Sequence, residues 1–265
     1  MKDNDRATAS TSLGRQRFRR PRRSIYILPS IFTVGNIFAG FFAVIATLNG
    51  NYGKAAVAIG IAVVLDGLDG RIARLAGATS EFGLQLDSLA DVISFGIAPA
   101  VLIYSWGFAG LGNFARLSAF FFVICGAMRL ARFNVQVQDL KHFAGLPIPA
   151  GAGFLAATVH LFKTPPESDL FKFSLVAATC FIGLLMISTL RYPSPKRLPL
   201  TRGKSHLTVL LLALVVAGVI WYSEEVLMAL ATAYVLSGLV LRLFQMIRYR
   251  MRHSGELTTT GAESE

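Results

Sequence analysis

Residues 66–91 read DGLDGRIARLAGATSEFGLQLDSLAD, and their four aspartates, Asp66, Asp69, Asp87 and Asp91, fall within otherwise apolar segments. A carboxylate inside a membrane helix costs on the order of 3 kcal/mol or more unless it is paired or metal-bound, so each such residue is a functional candidate. The spacings i, i+3 and i, i+4 put both members of each pair on one helix face. With one helix ending near Ala76 and the next starting near Phe82, Asp69 and Asp87 lie roughly 8–10 Å from the connecting turn. Asp66 and Asp91 lie about 14–15 Å from it. Two antiparallel helices therefore bring four carboxylates to matched depth. Four such anions in low dielectric repel one another, and divalent cations relieve the repulsion. Hard oxygen donors favour Mg²⁺ or Mn²⁺, and a pair of ions suits displacement at phosphorus.

The rest of the chain agrees with a membrane setting. Of 265 residues, 54% are hydrophobic and 15% charged, against roughly a quarter charged in a soluble domain. Apolar segments recur at about 29–49, 53–76, 83–107, 112–132, 147–163, 170–190, 205–222 and 225–247. Most are long enough to cross a hydrocarbon layer of about 30 Å at 1.5 Å per residue; the fifth is the shortest. Asn49-Gly50-Asn51, Gly110-Leu111-Gly112, Pro165-Pro166 and Pro193-Ser194-Pro195 punctuate them. The expected fold is all-α, a polytopic membrane bundle of about eight transmembrane helices. Residues 1–24 form a basic, disordered cytoplasmic tail, 25–250 a membrane-embedded catalytic domain, and 251–265 a polar C-terminal tail.

The net charge of +11 would suit nucleic acid, but the basic residues flank apolar segments and no aromatic-interleaved basic motif is present. Membrane topology explains them better. With both termini in the cytoplasm, of 26 Lys and Arg only Lys54, Arg116, Lys163 and Lys172 fall outside, together with Glu167, Asp169, Glu224 and Glu225. The expected location is the cytoplasmic (inner) membrane. Cys125 and Cys180 sit in apolar segments and read as small buried hydrophobes, with no disulfide framework or zinc cluster.

Around the acids, Gly67, Gly70, Ala73 and Ala76 remove bulk, so a ligand can approach the backbone closely. Arg71 and Arg74, nearer the cytoplasm, can engage phosphate bidentately. Small residues also serve helix packing, the better reading for Gly67 and Ala76, and terminal arginines also snorkel. For Gly70 and Arg74 the ligand reading is preferred.

Asp66, Asp69, Gly70, Ala73, Arg74, Gly83, Asp87 and Asp91 resemble the complete motif of the CDP-alcohol phosphatidyltransferase family, with every fixed position at the right spacing. The stretches Asp87–Gly96, Met128–Asn134 and Phe143–Ala150 are similar to the membrane-embedded bacterial and archaeal branch of that family that makes phosphatidylserine. So is Leu28–Asn36, except that Ser30 stands where the family often has Asn. The resemblance spans roughly residues 25–200.

It implies attack of the L-serine hydroxyl on the β-phosphate of CDP-diacylglycerol, giving phosphatidylserine and CMP. In that pattern Asp66, Asp69 and Asp87 hold one metal, Asp66, Asp87 and Asp91 serve a second, and Asp91 takes the hydroxyl proton. Asn36, Gly70, Arg74 and Ser80 contact CDP-diacylglycerol, and a homodimer is expected by analogy. The serine carboxylate needs a cation; Arg129 and Arg132 are candidates, although both also read as topological charge. Asn134 and the segment from Gly145 to Pro149 are weaker candidates for shaping the same pocket.

The same chemistry with glycerol 3-phosphate or an inositol phosphate as acceptor stays open, though the matches after Asp91 favour serine. A cation transporter would use the acids as an ion site but leaves the Gly70–Arg74 spacing unexplained. A phospholipase-D-like route needs His-x-Lys, and none of His142, His160, His206 or His253 has Lys two positions on.

Overall fold

The computed structural model describes residues 27–76, 81–136, 145–190, 192 and 223–260. In order these form α1 (Ile27–Leu48), α2 (Tyr52–Ala76), α3 (Glu81–Asp91), a π-helical turn (Val92–Ile97), α4 (Ala98–Gly107), α5 (Gly112–Gln136), α6 (Ile148–Phe162), α7 (Asp169–Ile187) and α8 (Ser223–Thr260). There is no strand among the described residues. α3, the π turn and α4 run on as one apolar rod, Glu81–Gly107. Seven rods thus stand where seven of the eight apolar segments were expected. The remaining one, the seventh in order at 205–222, lies outside the described residues.

Five rods are long and apolar enough to cross a membrane. α2 has the length, 25 residues, but carries Lys54, Asp66, Asp69, Arg71 and Arg74. α6 has 15 residues, about 22 Å of helix against about 30 Å of hydrocarbon. Pro147 precedes α6 and Pro149 lies in its first turn, where a missing amide proton costs nothing. Both Asn-Gly and Gly-Leu-Gly punctuation marks fall at turns, α1–α2 and α4–α5. In the first, Asn49, Gly50 and Asn51 donate their amides to Ile45, Thr47 and Ala46 carbonyls at 2.8–3.1 Å, satisfying the end of α1.

The burial pattern inverts that of a soluble protein. Small residues are buried along both α1 and α2, which pack together: Ala39, Ala43 and Ala46 on one helix, Ala55, Ala56, Ala58 and Ala62 on the other. Large apolar side chains point outward, among them Phe38 at 66% and Phe114 at 77% exposure. Water would penalise such a surface, whereas lipid solvates it, and close backbone approach is how helices associate there. The fold is that of a multi-pass membrane protein.

Two glycines fix the backbone near the acids. A Cβ on Gly40 would come 2.7 Å from Cα of Ser94, so α1 can lie against the π turn only with glycine at that position. Gly145 has φ +86°, and a Cβ there would run into the Met186 carbonyl. Its amide donates to Leu190 O at 2.8 Å, and that of Leu146 to Leu185 O at 3.0 Å. The residues from Gly145 to Pro149 are therefore tied to the end of α7. At another corner Lys163 pairs with Glu224 at 2.7 Å, joining the α6–α7 connection to the start of α8.

Candidate active site

Asp66 of α2 and Asp87 and Asp91 of α3 bring one carboxylate oxygen each to within 4.8 Å of the others. The i, i+4 spacing aligns Asp87 with Asp91 along α3, and Asp66 comes to them from α2. Asp91 is the most buried of the three, 8% exposed, and its buried Oδ1 has no hydrogen-bond partner among the described residues. At an effective dielectric near 20, unit charges at this spacing repel by about 3–4 kcal/mol per pair, so the trio is unfavourable as bare anions. Oxygens on opposite sides of one Mg²⁺, bound at about 2.1 Å, stand about 4.2 Å apart. The cluster has nearly that size and a purely hard-oxygen donor set, which fits a divalent cation.

Asp69 lies one turn nearer the cytoplasm-facing turn expected from sequence, 5% exposed, and is not one of the converging three. Its Oδ2 accepts a hydrogen bond from the hydroxyl of Thr33 on α1. The π turn begins immediately after Asp91, and the buried Ser94 within it donates to the Asn36 carbonyl at 2.8 Å. The Asn36 side chain is 1% exposed, and among the described residues neither its Nδ2 nor its Oδ1 has a hydrogen-bond partner. A buried amide left so costs about 1–3 kcal/mol, a cost that a polar ligand would relieve.

Arg129 of α5 is half-buried, lies within electrostatic range of Asp91 and of Tyr234 on α8, and has an unpartnered Nε. Arg132, one turn on, is exposed. Asn134 donates from Nδ2 to Ser88 Oγ at 2.9 Å, and Ser88 donates to Leu84 O at 3.0 Å. Asn134 thus pins α5 to α3 beside Asp87. Gly70 is half-buried on α2. Arg74 belongs to α2, but its side chain, like those of Arg71, Ala73 and Ala76, lies outside the description, and so does Ser80 entirely. The sequence reading gave Gly67 to helix packing, but among the described residues nothing lies within 4 Å of a Cβ placed there and no described helix requires its smallness.

Sequence reasoning passed over Thr33, Tyr234 and the π turn. Thr33 left a usable signal, a polar residue three positions before Asn36 inside an apolar helix.

The family model for CDP-alcohol phosphatidyltransferase matches residues 26–188. The chain belongs to this family. As a CDP-alcohol phosphatidyltransferase family member it carries all four aspartates, Asn36, Arg129, Arg132 and Asn134 within the matched span, whereas α8 with Tyr234 lies beyond it. The chain is 33% identical over 237 residues to the CDP-diacylglycerol–serine O-phosphatidyltransferase of Helicobacter pylori, covering 86% of this chain and 96% of that one. It is 34% identical over 170 residues to the Bacillus subtilis protein of the same name, covering 64% and 92%. Archaetidylserine synthase of Methanothermobacter thermautotrophicus is 35% identical over 175 residues, covering 64% and 71%.

Proposed function

We propose that this chain is a CDP-diacylglycerol–serine O-phosphatidyltransferase: it moves the phosphatidyl group of CDP-diacylglycerol to the hydroxyl of L-serine, giving phosphatidylserine and CMP. The observation that carries this reading is the convergence of Asp66, Asp87 and Asp91 within a chain similar over most of its length to enzymes of that name. The archaetidylserine relative differs in its lipid and shares serine in its name, which favours serine over other acceptors.

Asp66, Asp69 and Asp87 would hold one divalent cation, Mg²⁺ or Mn²⁺, and Asp66, Asp87 and Asp91 a second; held there, they would offset the charge of the pyrophosphate and of departing CMP. The serine oxygen forms a bond to the β-phosphorus as the bond from that phosphorus to the bridging oxygen breaks, and the oxygen leaves on CMP. Asp91, with a buried oxygen unclaimed by any hydrogen bond, accepts the hydroxyl proton. Asn36, Gly70, Arg74 and Ser80 hold the cytidine diphosphate portion, and the unsatisfied Asn36 amide supports its place among them. Arg129, on the Asp91 side, takes the serine carboxylate; Arg132 and Asn134 sit farther along the same helix and support that pocket.

The catalytic domain occupies residues 25–250 with eight transmembrane helices in the cytoplasmic membrane and both termini in the cytoplasm. The Lys163–Glu224 pair supports this, because it joins the α6–α7 connection to the first turn of α8, both of which are expected outside. The test is an acceptor panel: purified protein, CDP-diacylglycerol and Mn²⁺ or Mg²⁺ with serine, glycerol 3-phosphate or an inositol phosphate, reading CMP release. Release with serine alone is expected. Release only with another acceptor, or with none, overturns the assignment.

A further inference from the structure

The hydroxyl of Thr33 crosses from α1 to a carboxylate on α2. Thr47, Thr158 and Thr179 donate to the carbonyl four residues back in their own helix, at 2.8–2.9 Å, the usual way an apolar helix satisfies a hydroxyl; Thr158 also meets Met228 Sδ at 3.8 Å, but the partner that Thr33 reaches across helices is a carboxylate. Thr33 is 4% exposed and Asp69 is 5% exposed. Their bond is therefore made in a low-dielectric contact between packed helices, where a charge-assisted hydrogen bond is at its strongest. It claims one lone pair of Oδ2 and stops rotation of the carboxylate. A carboxylate has about four lone-pair sites, so this bond leaves acceptor capacity for a ligand.

We propose that Thr33 is a positioning residue for the metal centre: it orients Asp69 from α1, so that this acid, lying apart from Asp66, Asp87 and Asp91, is held ready as an additional oxygen donor. The inference rests on the metal-dependent transferase reading above. It extends the site to a third helix, since α2 and α3 supply the acids and α1 sets the rotation of one of them. Partners that orient a ligating carboxylate typically change metal affinity by about 10–100-fold when lost.

The test measures Mn²⁺ binding by electron paramagnetic resonance of the free ion, on full-length protein in detergent without substrates. Thr33→Val keeps the shape and removes the hydroxyl, and Thr33→Ala does the same should the valine variant fail to fold. Either should weaken Mn²⁺ binding about 10–100-fold and raise the Mn²⁺ needed for half-maximal CMP release by a similar factor. Thr33→Ser should bind within about threefold of wild type, because it restores the donor. Thr47→Val, which deletes a buried hydroxyl remote from the acids in the same helix, should bind as wild type. Unchanged binding in both hydroxyl-less variants overturns the role of Thr33, as does a serine variant no better than alanine. Wild-type protein that binds no Mn²⁺, indistinguishable from Asp66→Asn, would overturn the metal reading itself.

Discussion

Ser94 donates its hydroxyl to the main-chain oxygen of Asn36 at 2.8 Å, which fastens the π turn leaving Asp91 to the first helix at the level of a buried, unsatisfied amide. The same contact needs Gly40, four residues along α1, because a Cβ there would approach Cα of Ser94 to 2.7 Å. Gly40→Ala should therefore push α1 from the π turn. Overpacking of this kind costs about 1–3 kcal/mol, and a displacement of about 1 Å at reacting groups costs on the order of 10²-fold in rate. A lowered Tm in detergent together with slowed CMP release is the expected result. A variant with wild-type values for both would show that the placement of Asp91 does not depend on this contact.

Asp66→Asn, Asp69→Asn and Asp87→Asn should each reduce turnover by more than about 10³-fold while the protein still inserts. Asn keeps the volume and removes the charge that a cation needs. The rates should be taken with excess Mn²⁺, so that weakened affinity is not mistaken for lost chemistry. Near-normal activity in any one of the three removes that residue from the metal set.

The first turn of α8, Ser223–Glu225, should face away from the cytoplasm. The ion pair of Lys163 with Glu224 requires the α6–α7 connection to lie at the same end, so a cysteine introduced at either place should be labelled from the same side. The experiment uses a background in which Cys125 and Cys180 are replaced. Labelling of the two sites from opposite sides would break the expected topology, and labelling of both from the cytoplasm would invert it.

The acids were legible because their chemistry conflicts with their setting: four carboxylates in apolar helices at i, i+3 and i, i+4 leave few arrangements open. Turns were legible where Gly, Asn or Pro break a helix, as at Asn49–Asn51. The π turn was not, since Val92–Ile97 reads VISFGI, as apolar as the α-helix around it, and a change of hydrogen-bond register leaves no compositional trace. The Thr33–Asp69 bond depends on how α1 is rotated about its own axis, which tertiary packing decides. The short α6 was visible as the weakest segment, and its 15 residues account for that weakness.

Arg129 and Arg132 were equivalent candidates for serine on sequence, and the structure separates them. Arg129 reaches the Asp91 side of α5 with a buried, unpartnered Nε, whereas Arg132 is exposed. Arg129→Gln should raise the KM for serine by about 10–100-fold, the loss of a charge-assisted pair worth roughly 1.5–3 kcal/mol. Arg132→Gln should change it by less than about threefold, the usual small effect of an exposed charge. The KM for CDP-diacylglycerol should move little in either variant, because the groups proposed to bind that substrate, the acids with Asn36 and Arg74, are left intact. Arg129→Lys discriminates further: it keeps the charge and loses the planar fork, so partial rescue over glutamine marks a direct contact with the carboxylate. If Arg132→Gln carries the larger penalty, serine approaches from the exposed side of α5. If neither variant alters the serine KM, both arginines serve topology, and the serine carboxylate is bound by another group.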